Sequence, residues 1–445
     1  MPTKFVLIGS GLAGGLLGAY LGRRGYVVDL YERRADPRAG NFVGGRSINL
    51  ALSTRGIHAL QQLGIADEVM QHAIPMRGRM IHDKSGDLHF APYDVDPNNY
   101  INSIGRASLN TAVIEAAQRY PNVRVMFNHL CTQVDLDAAA AHLLSTETNQ
   151  VIAARGDAVI GVDGAFSAVR QSMQRKLDRF EYDESYLAHG YKELTIPPAP
   201  DGGWWMEKEA LHIWPRKSFM MIALPNPDGS FTCTLFWEFE GPRSFATTKT
   251  DEDVRRFFDE EFPDAVPLMP ALLEDFRENP TGSLVTVRCA PWQYKDKVVL
   301  VGDAAHAVVP FYGQGMNAAF EDCVVLDECL AEFPDNREWA FAEYFARRKE
   351  NADTLADLAV ENFIEMRDKT ASRKFRWKKK LDHLLEGALP GVYLPLYTMV
   401  TFTRIPYAEA ACRARRQDRI VYASLIGAGI LAFLLLMGLF RLVAG

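Results

Sequence analysis

Three glycines set between two short apolar runs at the start of the chain constrain its fold more than any other feature. Lys4-Phe5-Val6-Leu7-Ile8 reads as a buried strand. Gly9-Ser10-Gly11-Leu12-Ala13-Gly14 reads as a turn opening a helix to Arg24, and Tyr26 to Tyr31 as a second strand ending on Glu32. This strand–turn–helix–strand setting is what a GxGxxG pattern needs before it signifies a dinucleotide site. Gly9 permits the tight turn, Gly11 lets the backbone approach a pyrophosphate, and Gly14 lets helix and strand pack closely. The free N–H groups and dipole of the helix start suit phosphate. Glu32 is placed to accept from a ribose hydroxyl. The pattern alone does not separate FAD from NAD(P), and a glycine turn without a ligand is the plain alternative.

Two later segments are also strands that end on an aspartate beside a glycine. The first is Val159-Ile160-Gly161-Val162-Asp163-Gly164, followed by Ser167-Ala168-Val169-Arg170. The second is Val298-Val299-Leu300-Val301-Gly302-Asp303-Ala304-Ala305-His306, which leads into Pro310-Phe311-Tyr312-Gly313-Gln314-Gly315-Met316-Asn317. In the second, Asp303 can accept from ribityl hydroxyls, Gly313 and Gly315 let backbone lie against a flat ring, and a helix begins near Met316. The N–H groups of Met316 and Asn317 can then stabilise negative charge on a reduced ring. His306 reads as structural, since no orienting carboxylate neighbours it in sequence.

In this order the three motifs resemble the class A flavoprotein monooxygenases. The resemblance implies an FAD-binding Rossmann-like domain, NADPH as co-substrate without a second Rossmann domain, and flavin-centred chemistry on the loop of Pro310, Phe311, Gly313, Gln314 and Gly315. The cofactor residues it implies are Gly9, Gly11, Ala13, Gly14, Glu32, Arg33, Arg34, Arg46, Ala51, Arg106, Cys131, Asp163, Asp303, Gly315, Met316 and Asn317. Ala168 and Leu130-Cys131 depart from the family pattern and are expected to alter flavin affinity slightly. No catalytic base and no metal ligand are named.

Further stretches are similar to the kynurenine-hydroxylating members of that family. They include Gly45-Arg46-Ser47-Ile48-Asn49-Leu50, Ile74-Pro75-Met76-Arg77-Gly78-Arg79, His212-Ile213-Trp214-Pro215-Arg216, Phe219-Met220-Met221-Ile222 and Pro395-Leu396-Tyr397-Thr398. That similarity implies NADPH- and FAD-dependent conversion of L-kynurenine to 3-hydroxykynurenine with O2, through a flavin hydroperoxide, in tryptophan degradation and NAD biosynthesis. Arg79 and Tyr93 match the carboxylate-binding pair, and a guanidinium fork engages both carboxylate oxygens at once. Asn362 and Tyr397 match the other polar contacts, with Met221, Phe236, Phe311 and Met366 as apolar walls. Alone, such residues are more often surface charges or core. Three alternatives stay open: a flavin hydroxylase of salicylate- or hydroxybenzoate-like acids, an FAD-dependent membrane-linked isoprenoid reductase, and a non-enzymatic tether with a vestigial flavin fold.

At 445 residues the chain exceeds one ordinary core. The expected architecture is α/β, α+β overall. Residues 1–75, 106–185 and 286–345 form the flavin domain, and 76–105 with 186–285 a substrate domain of mainly antiparallel sheet. Residues 346–419 form a C-terminal helical region, and 420–441 a transmembrane anchor. The net charge of −7 argues against nucleic acid. Six cysteines without a CxxC pair suggest neither disulfides nor zinc. Ile420 to Phe440 holds no charge, and Arg413, Arg415, Arg416 and Arg419 precede it. That pattern predicts a single transmembrane helix with the catalytic body on the cytosolic side, at a bacterial inner or mitochondrial outer membrane. The basic run from Lys374 to Lys380 reads as a solvated helix face or a lipid-headgroup contact. A homodimer stays open.

Overall fold

The computed structural model describes residues 2–39, 49–365 and 373–444. Its centre is a six-stranded sheet in the order Gln293–Tyr294, Val298–Leu300, Ala158–Gly161, Lys4–Ile8, Val27–Tyr31, Val123–Met126. All neighbours run parallel except the edge pair Gln293–Tyr294 and Val298–Leu300. The three motif strands therefore lie side by side, so their glycine and aspartate ends share one sheet edge. Val6, Leu7, Val159, Ile160, Val299 and Leu300 are fully buried. Strands of a parallel sheet are covered on both faces and read as continuous apolar runs. The helix Leu12–Arg23 lies between the first two strands in sequence.

A seven-stranded sheet supplies the second layer. Its order is Gly282–Ala290, Glu181–Ile196, Phe231–Glu238, Phe219–Pro225, Ala210–Arg216, Gly78–His82, Leu88–Pro92. Pairing is antiparallel except between Ala210–Arg216 and Gly78–His82. One face carries Ile213, Met220 and Phe236, packed with Phe311 and Phe363. The opposite face carries Trp214, Met221 and Leu235, packed with Phe257, Phe258 and Leu272 of the helices Asp251–Glu261 and Leu272–Glu278. Side chains alternate between faces along a strand, and this alternation puts one face toward the flavin loop and seals the other. Two three-stranded sheets complete the β structure described.

The helices Gly315–Glu332, Arg337–Ile364, Arg373–Ala388 and Leu396–Phe402 lead to the last helix, Tyr407–Ala444. Here the expectation of a transmembrane helix at 420–441 is corrected. Among the described residues, no helix is long and apolar enough to cross a membrane. The segment is the far part of a 38-residue helix whose earlier turns carry Arg413, Arg415, Arg416, Asp418 and Arg419.

Candidate active site

A cavity of about 660 Å³ opens along the glycine–aspartate edge of the central sheet. Ligand clefts of roughly 300–1,000 Å³ are usual. Nine of the residues expected to hold the cofactor line it: Gly9, Gly11, Glu32, Arg33, Arg34, Arg106, Cys131, Asp163 and Asp303.

The glycines divide by role. Gly9 has φ +103°, and a Cβ there would sit 2.6 Å from the Val162 carbonyl oxygen. A Cβ on Gly14 would sit 1.9 Å from the Gly9 carbonyl oxygen, so Gly14 serves packing. Gly11 has nothing within 4 Å of its missing Cβ. It opens on the cavity, as a close approach by phosphate requires. The first main-chain bond of the helix is Gly15 N–H to Gly11 O, which leaves the amides of Leu12, Ala13 and Gly14 as free donors. Ser10 Oγ and Asn110 Oδ1 are shielded from solvent without a hydrogen-bond partner, and both residues line the cavity. Open donors, orphaned polar atoms and an unfilled glycine cradle fit a dinucleotide with its sugars.

The carboxylates are less alike than their motifs. Glu32 accepts from the backbone N–H of Ser10 at 2.9 Å and of Arg34 at 3.0 Å, so it braces the phosphate turn as well as facing the cavity. Asp163 accepts from Ser167 Oγ at 2.6 Å and from Ala168 N–H at 2.7 Å, and so starts the helix Ala168–Lys176. Burial raises its pKa, and these hydrogen bonds oppose the rise. Burial also raises that of Asp303, against the pull of Arg106 and His306. Burial pushes the Cys131 thiol up to about 12, so that position adds no charge to the cavity wall.

Four more of the expected cofactor residues, Ala51, Gly315, Met316 and Asn317, form a second shelf. Asn317 donates from Nδ2 to the carbonyls of Ala51 at 2.8 Å and Gly313 at 2.9 Å, and its Oδ1 accepts from Ser53 N–H at 2.9 Å. Its side chain thus staples the flavin loop to the strand Leu50–Leu52. Gly313 turns the loop with φ +67°. Ala318 N–H is the first amide bonded back, to Gln314 O, so Gly315, Met316 and Asn317 keep free donors. Arg46 lies outside the described residues.

The expected substrate residues gather across that loop from the sheet. Arg79 shares a sheet register with Leu211. Its guanidinium carbon lies 5.6 Å from the Tyr93 ring centre and 5.2 Å from that of Tyr397. The two tyrosines stack at 5.4 Å, and Tyr397 stacks on Tyr312 of the loop at 5.8 Å. Arg79 Nε and the Tyr93 hydroxyl are shielded from water and make no well-formed hydrogen bond, although Arg79, Tyr93 and Tyr397 lie close enough to interact. Asn362 Nδ2 donates to the Phe311 carbonyl at 2.7 Å, while the Phe311 ring packs on Phe363 at 4.2 Å and Phe236 at 4.9 Å. Met221 instead faces the helix-covered core, and Met220, paired with Phe236, faces Phe311. A register of one residue flips a side chain across a sheet. Met366 lies outside the described residues.

Three participants were given no role in the sequence reading. Asp322, sixteen residues after His306, takes His306 Nε2 at 2.6 Å and the Gly302 N–H at 3.1 Å. Burial would raise Asp322, but His306 and Arg348 outweigh it and hold the carboxyl at about 2. Arg170 is buried and donates to the Ala304 carbonyl at 2.8 Å and that of Ala165 at 2.5 Å, tying two motifs together. The Ser-x-x-Arg spacing signalled Arg170; nothing local signalled Asp322. Tyr407, the third, reaches the flavin loop from the last helix.

The family model for an FAD binding domain matches residues 2–359. A kynurenine 3-monooxygenase of Myxococcus xanthus is 48% identical over 93% of this chain and 89% of its own length. That of Dictyostelium discoideum is 48% identical over 92% and 90%, and that of Anopheles gambiae 42% over 98% and 90%. Among solved structures, 2-methyl-3-hydroxypyridine-5-carboxylic acid oxygenase superposes with a TM-score of 0.67 at 20% identity, covering 90% of this chain and 96% of that one. p-Nitrophenol 4-monooxygenase from Pseudomonas putida DLL-E4 gives 0.66 at 19%, over 87% and 94%. At those identities the two structures share the fold.

Proposed function

The chain belongs to the kynurenine 3-monooxygenase family of FAD-binding monooxygenases, and from that membership we propose how its residues serve the reaction. The activity is FAD-dependent hydroxylation of L-kynurenine to 3-hydroxykynurenine, with NADPH and O2 consumed and water released. FAD, once reduced by NADPH, supplies the activation of O2 from which one oxygen atom reaches the ring.

The observation that carries the substrate assignment is the buried Arg79, whose Nε has no well-formed hydrogen bond, grouped with Tyr93 and Tyr397 beside the loop at Phe311 and Tyr312. A buried donor left without a partner is costly unless a ligand completes it. A carboxylate does so for a guanidinium, with Tyr93 giving the second bond. The substrate's amino-acid end is thus held at Arg79, Tyr93 and Tyr397, and its aminophenyl ring extends toward Phe311, Phe236 and Met220. Asn362 fixes the Phe311 carbonyl and thereby the loop. The aryl amine already enriches the neighbouring ring carbon in electrons, so no strong base has to act there. His306 is buried with its Nε2 engaged by Asp322, which supports a structural part for it.

Within the cofactor cavity, the amides at Leu12 to Gly14 would hold the pyrophosphate, and Asp303 the ribityl hydroxyls. The test is steady-state NADPH oxidation by the FAD-loaded protein with L-kynurenine or with hydroxybenzoates. L-Kynurenine should stimulate the rate and the hydroxybenzoates should not; the reverse order would discard the reading.

A further inference from the structure

Gln314 ends the flavin loop, one residue before the helix Gly315–Glu332, and only 2% of it is exposed. Both ends of its amide are held. Nε2 donates to Ser53 Oγ at 3.1 Å, and Oε1 accepts from the Tyr407 hydroxyl at 3.1 Å. Tyr407 is fully buried at the start of the last helix.

What holds Tyr407 is a chain of buried charges. The Arg55 guanidinium carbon lies 4.1 Å from the Tyr407 ring centre, and Arg55 also donates to the Ile405 carbonyl. Arg55 pairs with Glu321 at 2.5 Å, and Glu321 with Arg348 at 2.5 Å. Arg348 reaches Asp322 at 2.6 Å, and Asp322 holds His306 and the Gly302 amide. Ring and backbone are therefore fixed by contacts that do not involve the hydroxyl. The hydroxyl is left with one task on the flavin side, the Gln314 amide.

We propose that Tyr407 is a positioning residue for the oxygen-transfer reaction, its hydroxyl and Ser53 pinning Gln314 so that the loop keeps water from the flavin face. The inference rests on the kynurenine-hydroxylating reading. In coupled turnover, NADPH, a proton, O2 and L-kynurenine give NADP+, 3-hydroxykynurenine and water. With the loop unpinned, the same two electrons and O2 leave with two protons as hydrogen peroxide, and L-kynurenine is unchanged. A buried amide oxygen that loses its donor favours loop conformers in which it finds another. Those conformers open the flavin face, where exclusion of water prevents such side reactions.

Tyr407→Phe is the cleanest test, since it keeps the ring over Arg55 and removes one oxygen. The share of NADPH electrons recovered as hydrogen peroxide in the presence of L-kynurenine should rise at least about threefold, in line with loss of one hydrogen bond. Ser53→Ala should do the same, and the double variant should add little to either. The visible absorbance of bound FAD should shift in both variants. Tyr393→Phe, which removes a hydroxyl bonded to Asp382 at 2.6 Å on another part of the helical region, should leave the ratio as in the wild type. Wild-type coupling and an unchanged flavin spectrum in both Tyr407→Phe and Ser53→Ala would overturn the proposal. A wild-type enzyme that does not hydroxylate L-kynurenine at all would instead overturn the reading beneath it.

Discussion

Arg79 holds its guanidinium carbon 5.2 Å from the centre of the Tyr397 ring, while its Nε makes no well-formed hydrogen bond. One face of the group is steadied by aromatic contact, and an anion would complete its donors. Arg79→Ala should therefore cost about 1.5–3 kcal/mol of transition-state binding, or roughly 10- to 150-fold in kcat/KM. FAD content should stay as in the wild type. Arg79→Lys should recover part of the loss, because a point charge cannot engage both oxygens as a fork does. Normal kinetics in the alanine variant would remove Arg79 from the substrate site.

Met220 and Met221 are neighbours in sequence and fully buried on opposite faces of one strand. Met221→Ala opens a hole in the helix-covered core and should cost about 2–5 kcal/mol of stability. Its KM for L-kynurenine should stay within about twofold of wild type, since no contact with the loop is lost. Met220→Ala should raise that KM in addition to lowering stability. Thermal melts with matched kinetics separate the two, and a KM effect confined to Met221→Ala would contradict the facing described here.

Asp303 lines the cavity, and burial lifts its pKa against the pull of Arg106 and His306. A carboxylate held at the cavity wall is suited to hydroxyls of a bound sugar chain. Asp303→Ala should lose FAD on dialysis, followed by the ratio of visible to ultraviolet absorbance. A fully yellow variant after dialysis would contradict that role.

A hydrogen-bonded chain runs from Asp264 through His82 to His212 and ends on the Glu207 carbonyl, with spacings of 2.7, 2.8 and 2.8 Å. Burial lowers His212 from 6.5 to about 4. The unfolded chain therefore takes up this proton more readily than the native protein, and stability falls as the pH drops from about 6.5 toward 4. The fall due to His212 should reach about 3 kcal/mol at the acid end of that window. Urea midpoints measured at pH 7.5, 6, 5 and 4.5 would show it. A midpoint that is flat over that range would mean the protonated ring is tolerated.

The three glycine motifs were legible because each is a local event, a strand end and a turn, and the parallel sheet only sets them side by side. Arg79, Tyr93 and Tyr397 were named from motifs far apart in the chain, and the structure stacks them within a few ångströms. Met221 failed for a simple reason: two adjacent methionines carry no mark of which one faces inward, and strand register alone decides. Asp322 could not be linked to His306, because helix packing brings them together over sixteen residues without a spacing rule. The uncharged C-terminal stretch was read as a bilayer span on composition. Among the described residues it is part of a longer helix that begins by anchoring Tyr407 in the core, and no span meets the length and apolarity needed.

In this enzyme, electrons from NADPH put one oxygen atom of O2 onto L-kynurenine. This is tested most directly by oxygen uptake of the purified, FAD-loaded protein with NADPH, with and without L-kynurenine, followed by the mass of the product. L-Kynurenine should accelerate uptake and gain one oxygen atom per NADPH consumed. An uptake rate indifferent to L-kynurenine, with no hydroxylated product, would contradict this.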